Sequence, residues 1–165
     1  PLPRQTAQTN GTDAQISAEV SNAQASLPAP DQIILYRNGK QKSIAADGET
    51  AVDLMESIHR LFSNQVGVLS SQQLQYDAIQ FPDPIKYLQD RSKEKGSVEL
   101  IYQTAQTYTF SNTPNRPTIQ FSALWIPADQ DEWILYQQSG IYSEQILKIA
   151  DQKSYEEIKN IVEYE

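Results

Sequence analysis

The chain reads as an α+β domain over 31–165, an antiparallel sheet of about five or six strands with helices packed on one face, preceded by a disordered polar spacer over 1–30. Three observations predict this. The 4 Phe, 2 Trp and 9 Tyr all lie after Pro30, beginning with Tyr36, whereas the preceding residues are mostly Ala, Gln, Thr, Ser, Asn and Pro. Ala51, Leu54, Met55, Ile58, Leu61 and Phe62 then recur at helical spacing. Val98, Leu100, Tyr102, Tyr108 and Phe110 share one parity, as expected of a strand with one buried face.

The spacer follows from its composition. Only Arg4, Asp13 and Glu19 are charged before Pro30, and apolar side chains are too few there to offset the entropy of ordering. The remaining stretch has the size of one domain with its own core. It begins with the β-prone run Ile33-Ile34-Leu35-Tyr36, and Asn38-Gly39 then supplies the pair that tolerates positive φ in a type I′ hairpin turn, with 41–45 returning. Asp47-Gly48-Glu49-Thr50 marks the start of the amphipathic helix, which ends near 64–67.

The pattern weakens over 68–96. Pro82 and Pro84 interrupt the run from Phe81 to Ile85, although Pro84 suits the first turn of a helix over 85–91, and 92–96 reads as a polar turn. After the long strand beginning at Val98, residues 111–117 form a loop, and Ile119, Phe121, Ala123 and Trp125 alternate in a second strand. Asp129-Gln130-Asp131-Glu132 makes a polar turn before a strand over 133–138, and Ser139-Gly140 punctuates the chain before 141–149, which fits either strand or helix. Ser154 and Glu157 in capping-box spacing open a closing helix with Tyr155, Ile158, Ile161 and Val162 on one face. Short turns between the later strands predict an antiparallel C-terminal meander beside the N-terminal hairpin.

Composition excludes several functions. With 21 acidic against 13 basic residues and a net charge of -8, the chain repels phosphate backbones and anionic headgroups, which argues against nucleic acid as a partner. The absence of cysteine removes disulfides, thiolate nucleophiles and cysteine-rich zinc sites. No Gly-rich phosphate loop, dinucleotide fingerprint or Gly-x-Ser-x-Gly elbow is present, and no cofactor is expected.

His59 is the sole histidine and draws any acid–base or metal proposal, with Glu56 one helical turn before it. Without a second histidine, a residue at the helix boundary is the simpler reading. Asp129, Asp131 and Glu132 invite a calcium site but lack the Gly and the distal Glu of an EF-hand loop, so a solvated turn is preferred and no metal is expected. Asn10-Gly11-Thr12 is read as a chance sequon. The aromatic strands are more informative. Core packing accounts for most of their rings, but Trp133, Tyr136 and Trp125 are the candidate binding residues of an open sheet face, with Trp133 the foremost because it follows the acidic turn.

The polar spacer, the Ile33-Ile34-Leu35-Tyr36-Arg37-Asn38-Gly39-Lys40 opening and the Val98-Glu99-Leu100-Ile101-Tyr102 strand with its meander give the chain a family likeness. It resembles uncharacterised ectodomains of Gram-positive bacterial lipoproteins, small α+β domains that follow a lipidated Cys and a polar spacer. The resemblance implies extracytoplasmic placement, a membrane anchor upstream of Pro1 after removal of a targeting segment, and no carried-over catalytic residues. The expected function is non-enzymatic binding of a protein, peptide or cell-envelope component. The alternative is a small extracytoplasmic hydrolase using carboxylates or His59.

Overall fold

A computed structural model describes residues 27–64, 67–70, 83–129 and 133–165. Strands β1 (Gln32–Arg37) and β2 (Lys40–Ile44) form the expected hairpin, with Arg37 opposite Lys40. Asn38 and Gly39 have φ of 54° and 74°, the paired positive values of a type I′ turn. Helix α1 (Glu49–Ser63) follows, then the short strand β3 (Gly67–Ser70).

Helix α2 (Pro84–Lys95) starts with Pro84 in its first turn and Asp83 as N-cap, whose side chain accepts the Lys86 N–H at 3.0 Å. It runs through 92–95, which reads as a turn from sequence, and ends only at Gly96, where φ reaches 135°. The meander comprises β4 (Ser97–Thr109), β5 (Thr118–Pro127), β6 (Trp133–Gln138) and β7 (Ile141–Lys148), and helix α3 (Gln152–Tyr164) closes the chain. The ambiguous stretch after Gly140 is therefore a strand, entered through a second turn in which Ser139 and Gly140 have φ of 52° and 82°.

Among the described residues seven strands, one or two more than the five or six expected because β3 adds an edge beside β7, pair antiparallel in one sheet in the order β2-β1-β4-β5-β6-β7-β3. Together with the helices, this is the α+β architecture expected. Between β4 and β5 the register jumps from Ile101–Ala123 to Gln106–Phe121, so β4 bulges over 102–105 opposite Ser122. The bulge changes the parity of β5. Ile119 and Phe121 share a cluster with Leu124 and Ile126, so the simple alternation through Ala123 to Trp125 breaks, and Trp125 faces the opposite side.

The helices divide between the two faces rather than sharing one. The larger core joins Leu54, Ile58, Leu61 and Phe62 of α1 and Tyr155, Ile158 and Val162 of α3 to one side of the sheet. On the other side Ile85 and Leu88 of α2 pack on Trp125, Leu135 and Ile146. The cause is local: Leu124-Trp125-Ile126 and Ile134-Leu135-Tyr136 are apolar on both faces, and a strand greasy on both sides must be covered on both.

Two further boundaries move. Leu27 is only 4% exposed and joins the main core, and the Pro28 carbonyl accepts the Tyr102 hydroxyl at 2.9 Å, so the packed chain begins at least four residues before Asp31. The preceding residues, including the sequon, lie outside the described residues. At α3 the N-cap is Asp151 rather than Ser154: its carboxylate accepts the Ser154 N–H at 3.1 Å and hydroxyl at 2.5 Å. Glu157 pairs instead with Arg60 at 2.7 Å, tying α3 to α1.

Candidate binding face beneath helix α2

Glu99 is the polar residue of an apolar segment. Val98 and Leu100 point into the main core, so strand alternation sends Glu99 to the α2 side of the sheet. There its two carboxylate oxygens accept from two tyrosines: the Tyr36 hydroxyl of β1 donates to Oε1 at 2.8 Å and the Tyr142 hydroxyl of β7 donates to Oε2 at 2.6 Å. Burial first, and then the bond to the Glu99 carboxylate and its charge, push both phenols well above the usual tyrosine range.

Trp125 stands between these tyrosines. Its ring stacks on Tyr36 at 4.7 Å between centroids, tilted by 31°, and meets Tyr142 edge-on at 6.2 Å. Its indole N–H donates to the buried Ser92 hydroxyl of α2 at 2.8 Å, satisfying the polar atom of the largest fully buried side chain. The ammonium of Lys93, also on α2, lies 5.8 Å from both the Tyr36 and the Trp125 ring centroids.

This cluster borders an open groove of about 520 Å³ between the start of α2 and the β6–β7 hairpin. Asp83, Ile85, Lys86 and Gln89 form one wall, and Gln137, Ile141, Tyr142 and Glu144 the other. Lys86 is paired with Asp90 at 2.7 Å, which leaves Asp83 and Glu144 as the carboxylates of the lining, and Ile141 is 74% exposed.

The candidate residues read from sequence do not form one site. Trp125 is closed beneath α2, and Tyr136 is in the main core on the opposite face, 1% exposed, with its hydroxyl donating to Gln145 at 2.8 Å. Neither presents an open ring, because each belongs to a strand covered on both sides. Trp133 is half-buried at the margin of the α2 cluster, with the Lys148 ammonium 5.9 Å from its centroid. Tyr36, Glu99, Lys93 and Tyr142 were not singled out by the sequence, since their meeting depends on strand order rather than spacing.

His59 has a structural partner: its Nδ1 accepts the Leu27 N–H at 3.1 Å. Burial lowers its pKa, and the nearby Glu56 carboxylate opposes that shift. Asp129 approaches Arg91 at 4.0 Å, while Asp131 and Glu132 lie outside the described residues. Among the described residues no group of three or more acidic or His side chains is arranged to hold a metal. A second cleft of about 410 Å³ collects Arg37, Arg91, Lys95 and Lys159, but Arg37 donates to the Glu163 carbonyl at the end of α3 and Lys159 pairs with Glu156 at 2.9 Å. Those contacts give two of the four cations structural roles.

Comparison with protein-family models, with curated proteins and with solved structures finds no match to this chain. Fold and surface together define an α+β domain with one antiparallel sheet covered on both faces and an acidic, aromatic-edged groove beside helix α2 on the second face. Among the described residues no helix is long and apolar enough to cross a membrane.

Proposed function

We propose that this is a non-enzymatic, extracytoplasmic binding domain, carried on its polar N-terminal segment from a lipid anchor upstream, and that it recognises a basic peptide segment of an envelope protein. The observation that carries the reading is the groove beside α2, where the Asp83 and Glu144 carboxylates, the Tyr142 ring and the exposed Ile141 line one surface. Such a surface offers charge to a basic chain and apolar area to its aliphatic stems. The net charge of -8 favours the same partner by drawing cations toward the domain. A hydrolase built on His59 is disfavoured because its Nδ1 is engaged by the Leu27 backbone.

The test is photo-crosslinking in intact cells, with a benzophenone side chain at Ile141 and, as control, at the exposed Tyr164 on α3. The expected result is a product specific to position 141, mapped by mass spectrometry to a Lys- or Arg-rich segment and abolished by Asp83→Asn, which keeps the cap of α2, with Glu144→Lys. Identical products from both positions would defeat the proposal. The anchor is checked separately by mass spectrometry of the native N-terminus, where a diacylglyceryl-modified Cys is expected.

A further inference from the structure

We propose that the Tyr36–Trp125 ring pair, bordered by Glu99 and Tyr142, is a seat for the alkylammonium group of a lysine in the bound segment, kept closed in the free protein by Lys93. The inference rests on the binding-domain reading above and names the group that is recognised. Its basis is a position already marked by a cation. The Lys93 ammonium lies 5.8 Å from both ring centroids, inside the distance at which a positive charge is attracted to an aromatic face.

The neighbouring chemistry fits the same ligand. Both tyrosine hydroxyls donate to Glu99, which enriches their rings in electron density and places a carboxylate within the cluster. Glu99 accepts one hydrogen bond on each carboxylate oxygen, so the two phenols hold it in place between the rings. The groove opens at Tyr142, and its Asp83 and Glu144 carboxylates raise the local concentration of cations at the entrance. Lys93 is half-buried and, among the described residues, its ammonium has the two rings as its contacts, so a competing ammonium displaces it without breaking an ion pair.

The experiment is an NMR titration with n-butylammonium chloride, which reproduces the end of a lysine side chain, against sodium chloride at equal ionic strength. Tetramethylammonium chloride forms a second arm, representing a choline headgroup. The chain has 2 Trp, so the two indole N–H signals report separately on the seat at Trp125 and on Trp133, at the margin of the cluster beside Lys148. In Lys93→Ala the butylammonium dissociation constant is expected to fall about fivefold relative to the wild type, the scale of a modest cation–π contact. Lys93→Met leaves an apolar chain over the rings and is expected to behave like the wild type. Glu99→Gln in the Lys93→Ala background should reverse the gain.

Equal affinities in wild type and Lys93→Ala, or shifts confined to Trp133, would overturn the seat. Tighter tetramethylammonium than butylammonium binding would overturn lysine as its occupant. If these titrations fail while crosslinking at Ile141 persists, the seat falls and the binding-domain reading stands. Retained exchange protection of the Trp125 indole N–H, which is held by Ser92, is the check that α2 remains docked in unliganded Lys93→Ala.

Discussion

Replacing His59 with alanine should loosen the start of the domain without unfolding it. The Leu27 N–H donates to His59 Nδ1 at 3.1 Å, and the Leu27 side chain is 4% exposed in the main core. A buried donor stripped of its acceptor costs about 1–3 kcal/mol. The loss is bounded, because the chain can lift at Leu27 while the Tyr102 hydroxyl retains Pro28 and the Asp31 N–H retains the Ile101 carbonyl at 2.8 Å. Amide exchange at Leu27, measured by NMR, is expected to lose about a factor of ten in protection, equivalent to about 1.4 kcal/mol.

Acid should produce the same opening in the wild type. The folded state depresses the His59 pKa, chiefly by burial and against the opposing pull of Glu56, because Nδ1 must stay unprotonated to accept from Leu27. The unfolded chain then binds the proton more readily, so this contribution is complete above about pH 6.5 and fades as pH falls through the depressed folded value. Protection at Leu27, corrected for the intrinsic exchange rate, should therefore fall between pH 7.5 and pH 5 in the wild type and stay flat in His59→Ala. Equal Leu27 protection in both proteins at both pH values would refute the reasoning.

Other substitutions probe the remaining layers. Ultraviolet titration should find Tyr36 and Tyr142 still phenolic well above the ordinary range near pH 10, and Glu99→Gln should bring both down; since the raised values favour the neutral folded form, their stabilising contribution is present below about pH 10 and lost as pH rises through the folded values. Unchanged titration in Glu99→Gln would contradict this. Asp151→Ala removes the α3 cap and should lower urea-measured stability by about 1 kcal/mol. Trp125→Ala empties a site that is 1% exposed and removes the indole bond to Ser92, whose hydroxyl keeps only the Gln89 carbonyl, so a loss of about 3–5 kcal/mol is expected, and a loss under about 1 kcal/mol would show that α2 does not depend on it.

The elements legible in the sequence were those whose cause is local. Asn38-Gly39 dictated its turn because two adjacent residues tolerate positive φ, and the α1 face was written in the spacing from Ala51 to Phe62. The second face of the sheet was harder to read. Leu124-Trp125-Ile126 and Ile134-Leu135-Tyr136 do encode a need for cover on both sides, but only strand order brings α2 onto Trp125 and Leu135. The bulge over 102–105 was likewise hidden, because it keeps the parity of β4 and alters that of β5. Glu99 became a candidate site residue only once β1 and β7 delivered Tyr36 and Tyr142 to it, from positions 63 and 43 residues away in sequence.

The division of the helices also sets an order of opening. Helix α2 buries Ile85, Leu88 and Ser92, whereas α1 buries seven side chains, all but Ser57 in a core it shares with α3. The α2 layer is thus the least firmly held part of the described helical framework, and its transient detachment uncovers Trp125 while the main core remains assembled. In native-state hydrogen exchange the amides of α2 should form their own low-energy opening unit, separate from α1. Two motions of different size thus bear on the aromatic cluster: displacement of the Lys93 side chain keeps the Ser92 bond to Trp125, whereas detachment of the whole helix breaks it.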